Sequence, residues 1–354
     1  MDLSLRCDSE CWATARVEPT IDRHGNDVAV VVAKMAYAVS QRGEVRIAFR
    51  PVRWSEVPDG RGGVRFPSEL CDERPGTDAA LFGTAFPPGG KAVNHFLAWL
   101  TITGNKVALR KSVNVFGPRT FVAGNQGVVA GPAGIAVPTP LVPANAYGGS
   151  EHYDQPERFA EEEHNPVGRG FSRSPASLIG TDAHRLEVVP DPALPSQPHL
   201  AHGFFAPIPA NWAPRRNLIG THDESWAKTR APVRPKNFDV RHNSWAVPGL
   251  HSEVPLQGDE AFEVGGVRKE GIWRFSLPRY RPIFESRIGS TVQVHKTHLD
   301  SILVDADDGI VELSWRAAVL LPDPWERLTR LRVWSEDTLP AEVLQESIPN
   351  PKSA

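Results

Sequence analysis

The chain has 354 residues, with 40% hydrophobic, 23% charged and 8% aromatic side chains, a globular composition with a core large enough to need no disulfide or metal staple. A net charge of -3 and a pI near 6.5 leave no basic excess to attract phosphate backbones or anionic lipid, so neither nucleic acid nor a membrane surface is expected as a partner. The three cysteines, Cys7, Cys11 and Cys71, are too few for a secreted disulfide framework and point to a reducing, cytoplasmic setting. Cys7 and Cys11 lack the second Cys/His pair that structural zinc requires. Asp2, Arg6, Asp8 and Glu10 interrupt any apolar signal run, and no later stretch reaches the ~18 apolar residues of a membrane span. A soluble protein, not exported by a cleaved signal, is expected.

Glycine (29) and proline (33) punctuate the whole sequence and break it into segments too short for most helices, so strands and loops should dominate. In chain order, Val28 to Val39 reads as a buried strand, and Val45, Ile47 and Phe49 alternate toward a hairpin partner. Val107, Leu109, Val113 and Val115 alternate before the Gly117-Pro118 stop. From Val122 to Asn243 runs a long Gly/Pro-rich tract whose Phe204, Phe205, Trp212, Trp226 and Phe238 argue against a flexible linker, since aromatics this dense become buried. Helices are expected only over Gln155 to Glu163 and Trp325 to Val333. The clearest local signal is the Asp305 to Gly309 turn between Ile302 to Val304 and Ile310 to Ala318. There Val311, Leu313, Trp315 and Ala317 share one face, opposite Glu312, Ser314 and Arg316.

No constellation for catalysis emerges. Gly83 to Lys91 approaches a phosphate loop, but Ala85 and Ala92 occupy the positions of an essential glycine and of the magnesium-binding Ser/Thr. Gly148-Gly149-Ser150-Glu151-His152 begins like a nucleophile elbow, with His152 where glycine is needed. His152, Asp154, Glu157, Glu161, Glu162, Glu163 and His164 offer cation ligands but read more simply as a solvated acidic face. Asp305, Asp307 and Asp308 lack the later bidentate glutamate of a calcium loop. No metal or cofactor is expected. A carbohydrate-binding protein or glycoside hydrolase is the alternative function that these residues leave open, suggested by 10 tryptophans on a β scaffold. Trp273 and Trp315, inside strands, are better read as core.

More specific blocks run from Thr77 to Ala85, then Ala146-Tyr147-Gly148-Gly149, then Asn165-Pro166-Val167-Gly168-Arg169-Gly170-Phe171. Gly203 to Ile208, Trp212-Ala213-Pro214-Arg215, Gly220-Thr221-His222-Asp223-Glu224-Ser225-Trp226, Thr229 to Asp239 (with Pro232, Phe238 and Asp239), Leu256-Gln257-Gly258-Asp259-Glu260 and Phe275 to Pro278 follow in order. These blocks, over roughly residues 25 to 320, resemble the signature of the domain of unknown function 2169 family. The chain departs from it at Gly117-Pro118-Arg119, where glycine, acid, arginine is usual, and at His222, where Tyr or Phe is common. The resemblance implies a non-enzymatic adaptor or chaperone that loads a cognate toxic effector onto the type VI secretion spike and its PAAR-repeat tip, and it brings no catalytic residues.

The block glycines read as turns or close backbone approaches, serving either the fold or direct partner contact. Thr221 is expected to cap a helix or turn, with Glu224 three residues on, and Trp226 to be a buried anchor. Trp212, Arg215, Arg216, Trp226 and Trp245 are the candidate partner anchors. The fold expected is mainly β, with sandwich-like antiparallel sheets, long Gly/Pro-rich loops and few short helices. It divides into a β-rich part over 1–121 and a loop-rich and β-rich part over 122–354, or forms one continuous domain.

Overall fold

The computed structural model describes residues 7–9, 13–105, 107–151, 159–190, 200–295, 297–324 and 327–335. The principal strands are β1 (Cys7–Ser9), β2 (Thr14–Ile21), β3 (Asp27–Val39), β4 (Val45–Ala48), β5 (Thr77–Phe82), β6 (His95–Thr103), β7 (Ala108–Phe116) and β8 (Leu186–Val188). They continue with β9 (His251–Ser252), β10 (Ala261–Gly265), β11 (Trp273–Ser276), β12 (Pro282–Ile288), β13 (Thr291–His295), β14 (His298–Asp305), β15 (Ile310–Leu320) and β16 (Leu328–Ser335). The fold is mainly β. Its single α-helix among the described residues is α1 (Glu224–Thr229), and no helix there is long and apolar enough to cross a membrane.

Three sheets organise the chain. The central one has seven strands in the order β9-β5-β14-β15-β3-β2, with β4 also paired to β3, and its strands come from both sides of residue 121. A five-stranded sheet runs β8-β7-β6-β10-β11, and a four-stranded sheet runs β1-β16-β12-β13. Pairing is antiparallel apart from β5 with β14 and β1 with β16 among these strands. The Asp305 to Gly309 turn closes the expected hairpin, with Ile310 opposite Asp305 and Gly309 at φ 66°. Only glycine adopts that angle without strain.

Alternation along β3 and β15 explains how the layers stack, because successive side chains leave opposite faces of a strand. On one face, Ala29, Val31 and Ala33 of β3 with Val319 of β15 pack against Phe284, Leu328, Leu331 and Val333 of the four-stranded sheet. Farther along the same face, Met35, Tyr37 and Val39 with Val311, Leu313 and Trp315 join the main core under Phe96, Leu100, Phe262 and Trp273 of the five-stranded sheet. Both smaller sheets thus cover one side of the central sheet. Its other side carries Val28, Val30 and Val32 beneath Val52 and Trp54, then a set of charged residues.

Three expectations change. Glu312, Ser314 and Arg316 do lie opposite Val311, Leu313 and Trp315, yet they are as buried as the apolar face, because the segment from Val52 to Arg74 roofs them over. Trp325 to Val333 is no helix: its described part enters β16, whose pairing with β12 outweighs the helix-start signal of Pro322 and Pro324. Of the expected helix from Gln155 to Glu163, residues 155–158 lie outside the described residues, and Ala160–Glu161 forms a short strand instead. The Gly/Pro-rich tract contributes Phe204, Phe205, Ile208 and Trp212 to the main core, and Trp245 joins them just beyond its end.

Candidate functional site

The block residues fall into separate clusters. In the first, Tyr147–Gly148 pairs in parallel with Arg169–Gly170, and buried Asn165 ties the two together by donating from Nδ2 to Pro143 O and Tyr147 O, both at 2.9 Å. A Cβ on Gly148, which has φ 148°, would sit 2.0 Å from Asn165 O, and one on Gly168 would meet Asn165 Nδ2 at 2.6 Å. Gly149 N–H donates to Asn165 O, and half-buried Pro166 shapes the return of the loop. A Cβ on Gly170 would press on the Phe121 ring at 2.8 Å. These glycines serve close backbone crossings.

Beside this cluster stands Arg119, from the divergent Gly117-Pro118-Arg119. Its guanidinium lies over the Phe116 ring at 3.9 Å, donates to His184 O and pairs with Glu187 at 2.6 Å. The bond from His184, reinforced by Arg119, pulls the Glu187 carboxyl down to about 2.

In the second cluster, Trp212 (4% exposed) and Trp245 (1%) are core residues, so neither can anchor a partner on the surface of this fold. Arg215 donates from Nε to His242 O at 2.8 Å and from Nη1 to Ile208 O, holding two loops together. Burial, with Arg74 nearby, lowers its guanidinium to about 10. Arg216 is taken up by Glu161 at 2.5 Å and Glu163 at 3.0 Å. That pairing accounts for much of the acidic segment; His152, Asp154 and Glu157 lie outside the described residues.

The third cluster corrects two expectations. Asp223, not Thr221, caps α1, accepting from Trp226 N at 2.8 Å; Thr221 is instead fastened to Asn237, whose Oδ1 accepts from Thr221 N and whose Nδ2 donates to Thr221 Oγ1. An aspartate three residues before a free helix N–H is as good a cap as threonine. Trp226 is half-buried, its indole N–H donating to Val233 O at 2.8 Å and its ring meeting His222 edge-on at 4.5 Å. His222 thus supplies the ring that the usual Tyr or Phe would. Gly220 (φ 84°) turns against Pro235, Pro232 lies exposed after α1, Arg234 covers the Phe238 ring at 4.5 Å, and Asp239 caps the short turn Val240–Asn243. Trp226→Ala is expected to lower stability by about 1–2 kcal/mol, a lost hydrogen bond plus partial burial. Urea melts would expose an error here: a loss of 4 kcal/mol or more, on the order of a core truncation, would contradict the half-buried placement.

In the fourth cluster, buried Glu260 accepts from Gln257 N at 2.6 Å and Gly258 N at 2.8 Å, locking a turn whose Gly258 has φ 88°.

The strongest electrostatic feature escaped the sequence reading. Lys34, Arg74 and Arg316 meet Glu69, Asp300 and Glu312 on the roofed face of the central sheet, each no more than 5% exposed. Arg316 reaches Asp300 Oδ2 at 2.6 Å and Glu69 Oε2 at 2.9 Å, and also donates to Cys71 O. Arg74 lies 3.3 Å from Asp300 and donates to Asn243 O; Lys34 pairs with Glu312 at 2.9 Å. Burial alone would raise the Asp300 carboxyl, but Arg316 and Arg74 outweigh it and hold it below the ordinary range. Next to this set, Asp78 accepts from Trp245 N and binds His251 at 2.7 Å, which raises the His251 pKa. Three cations balance three carboxylates and their polar atoms are occupied, so the set fastens the roof.

A cavity of about 460 Å³ opens between the four-stranded sheet and the central sheet, lined by Leu256, Ile283, Val294, His298, Leu299 and Trp315 among others. Burial lowers the pKa of His295 on its wall, and that ring is held by Ser286 at 2.7 Å.

Residues 24–316 match a family described as "Uncharacterized protein conserved in bacteria (DUF2169)". The chain belongs to this family. No curated protein and no solved structure matches it. In this DUF2169 chain the matched span runs from the turn before β3 into β15, and so takes in the whole five-stranded sheet and the loop clusters described above.

Proposed function

We propose that this protein is a non-enzymatic adaptor, or chaperone, that binds a cognate toxic effector and promotes its loading onto the type VI secretion spike or its PAAR-repeat tip. The observation that carries the reading is the ordered series of family blocks from Thr77 to Pro278, within the family match over 24–316. The use made of the block side chains supports it. Asn165 and Arg215 bind backbone groups of neighbouring loops, and Asp223, Asp239 and Glu260 bind backbone N–H groups of their own turns, which is work of shape and not of chemistry. A long scaffold of loops held this firmly suits recognition of another polypeptide, with affinity resting on a few well-placed surface contacts.

Mass action supplies the mechanism. An effector with an uncovered apolar segment aggregates or is degraded, and a partner that binds its loading-competent form keeps it in solution. Deleting the gene should therefore abolish accumulation or delivery of one effector while the secretion apparatus and its other cargoes remain intact. Unchanged effector level, solubility and secretion in the deletion strain would sink the proposal.

A further inference from the structure

We propose that the open edge of β4 is a docking strand, to which an extended segment of an acidic and apolar partner polypeptide adds as a further strand of the central sheet.

Backbone geometry identifies the free groups. Val39 N–H donates to Gly309 O at 2.7 Å, toward β15, so Val39 and Tyr37 direct their backbone groups away from β4. By strand alternation, Ala38 and Ala36 bond to β4 through their register partners Arg46 and Ala48. Val45 and Ile47 then present their N–H and C=O groups to the other side, where no strand follows and no described residue bonds them. Ile47 is 45% exposed.

The side chains indicate what would fit. Phe49, at 67%, is the most exposed large apolar residue among those described; it follows Ile47 on the same face by alternation. Arg42 and Arg46 are exposed and lack a carboxylate partner among the described residues, while Arg50 lies farther along, within 4.0 Å of Glu312. Glu44 is the one acid between residues 41 and 53. A basic, apolar edge complements an acidic, apolar strand, with main-chain bonds supplying affinity and the flanking side chains specificity.

The protein closes a comparable edge elsewhere. The outer side of β11 is covered by the tip of the β3-β4 hairpin: the Trp273 indole N–H donates to Ser40 O at 3.0 Å, and Gly43 lies so close that a Cβ would fall 2.2 Å from Arg274 O. Folded proteins normally blunt exposed edges in this way. The β4 edge has its arginines and shortness as protection, but keeps Ile47 and Phe49 in the open. The proposal deepens the adaptor reading, and rests on it only for the source of the added strand.

The test uses the full chain and a heptapeptide phage-display library as probe. Panning should enrich extended-type sequences that combine Asp or Glu with apolar residues, and the leading peptide should lose at least about tenfold in affinity on Ile47→Pro and on Arg46→Glu. Proline at 47 removes an outward N–H and no internal bond, so its thermal melt should stay close to the parent's, and Phe49→Ser provides a second folded variant with weakened binding. Peptides that bind Ile47→Pro as tightly as the parent, enrichment of lysine-rich or patternless sequences, or no enrichment would each overturn the proposal. So would a dimer in solution that Ile47→Pro dissociates, since the strand would then come from a second copy. An effector that co-purifies equally with the parent and with Ile47→Pro removes the edge but leaves the adaptor standing; acidic peptides that bind the edge of a protein with no effector do the reverse.

Discussion

Replacing Lys111 by methionine is expected to stabilise the protein, by about 3–5 kcal/mol below pH 7, because it removes a buried charge and keeps the side-chain volume. Lys111 lies on β7 opposite Leu100, on the core-facing side with Leu109 and Val113; it is 4% exposed and its Nζ has no hydrogen-bond partner among the described residues. Burial pushes its amine down to about 7. The unfolded lysine titrates near ~10.4, so between those values the unfolded chain holds the extra proton and stability of the parent rises with pH, by up to ~1.4 kcal/mol per unit. Above both values the amine is neutral in both states and the penalty vanishes. The advantage of Lys111→Met should therefore shrink steadily as the medium becomes alkaline. Chemical denaturation at several pH values checks this; a parent whose stability is flat over that window, or a methionine variant that is less stable at neutral pH, would mean that the amine has a stabilising partner.

Arg316→Met is expected to act in the opposite direction, with a loss of roughly 3–5 kcal/mol, the usual result of removing one member of a buried, hydrogen-bonded set of ions. Asp300 would keep only Arg74 and Ser301, and Glu69 would lose its 2.9 Å bond from the guanidinium. Arg316 also holds Cys71 O at 2.8 Å, so the roof from Glu69 to Arg74 should loosen before the sheet does. Hydrogen exchange would show faster exchange in that segment, and urea melts a lower midpoint. The Asp300 pKa lies below its ordinary value, so it contributes stability above the ordinary carboxylate pKa of ~3.9 that is lost as pH falls through the lowered one. Loss of Arg316 should weaken that acid dependence. A variant within about 0.5 kcal/mol of the parent, with unchanged exchange, would show the network to be dispensable.

The difference between these two cases explains how much of the molecule was legible in its sequence. Strands with a clear period stood out: the valine run of β3, the alternation of β7, and the β14-β15 hairpin marked by Asp308-Gly309. The ion network was illegible because its members are far apart in the chain, Glu69 and Arg74 in a loop and Asp300 and Arg316 on strands more than two hundred residues later. Lys34 amid the β3 valines was the one local sign of it. Residues 325–333 misled because prolines ahead of an apolar stretch signal a helix start, whereas pairing with β12 made the described part of it a strand. Trp226 misled differently. Its size suggested a core position, but α1 is short and has no buried residue, so the ring is only half-buried.

For the candidate site, the sequence located the glycines that the fold requires, and Gly148 and Gly168 at the Asn165 crossing show why a side chain is forbidden there. It was less informative about surface contact, because Trp212 and Trp245 look like binding residues in the sequence and are core residues in the fold. Aromatic residues serve both purposes, and only burial separates them.

The central claim, that the chain works by holding a toxic effector, is tested most directly by purifying it under native conditions from cells that co-express a candidate cognate toxin, and measuring the mass of the eluted species. A stoichiometric complex that survives gel filtration, with an interface of more than about 1,000 Å², is the expected result. Elution of the protein without that toxin, from cells in which the toxin is present and soluble, would contradict it.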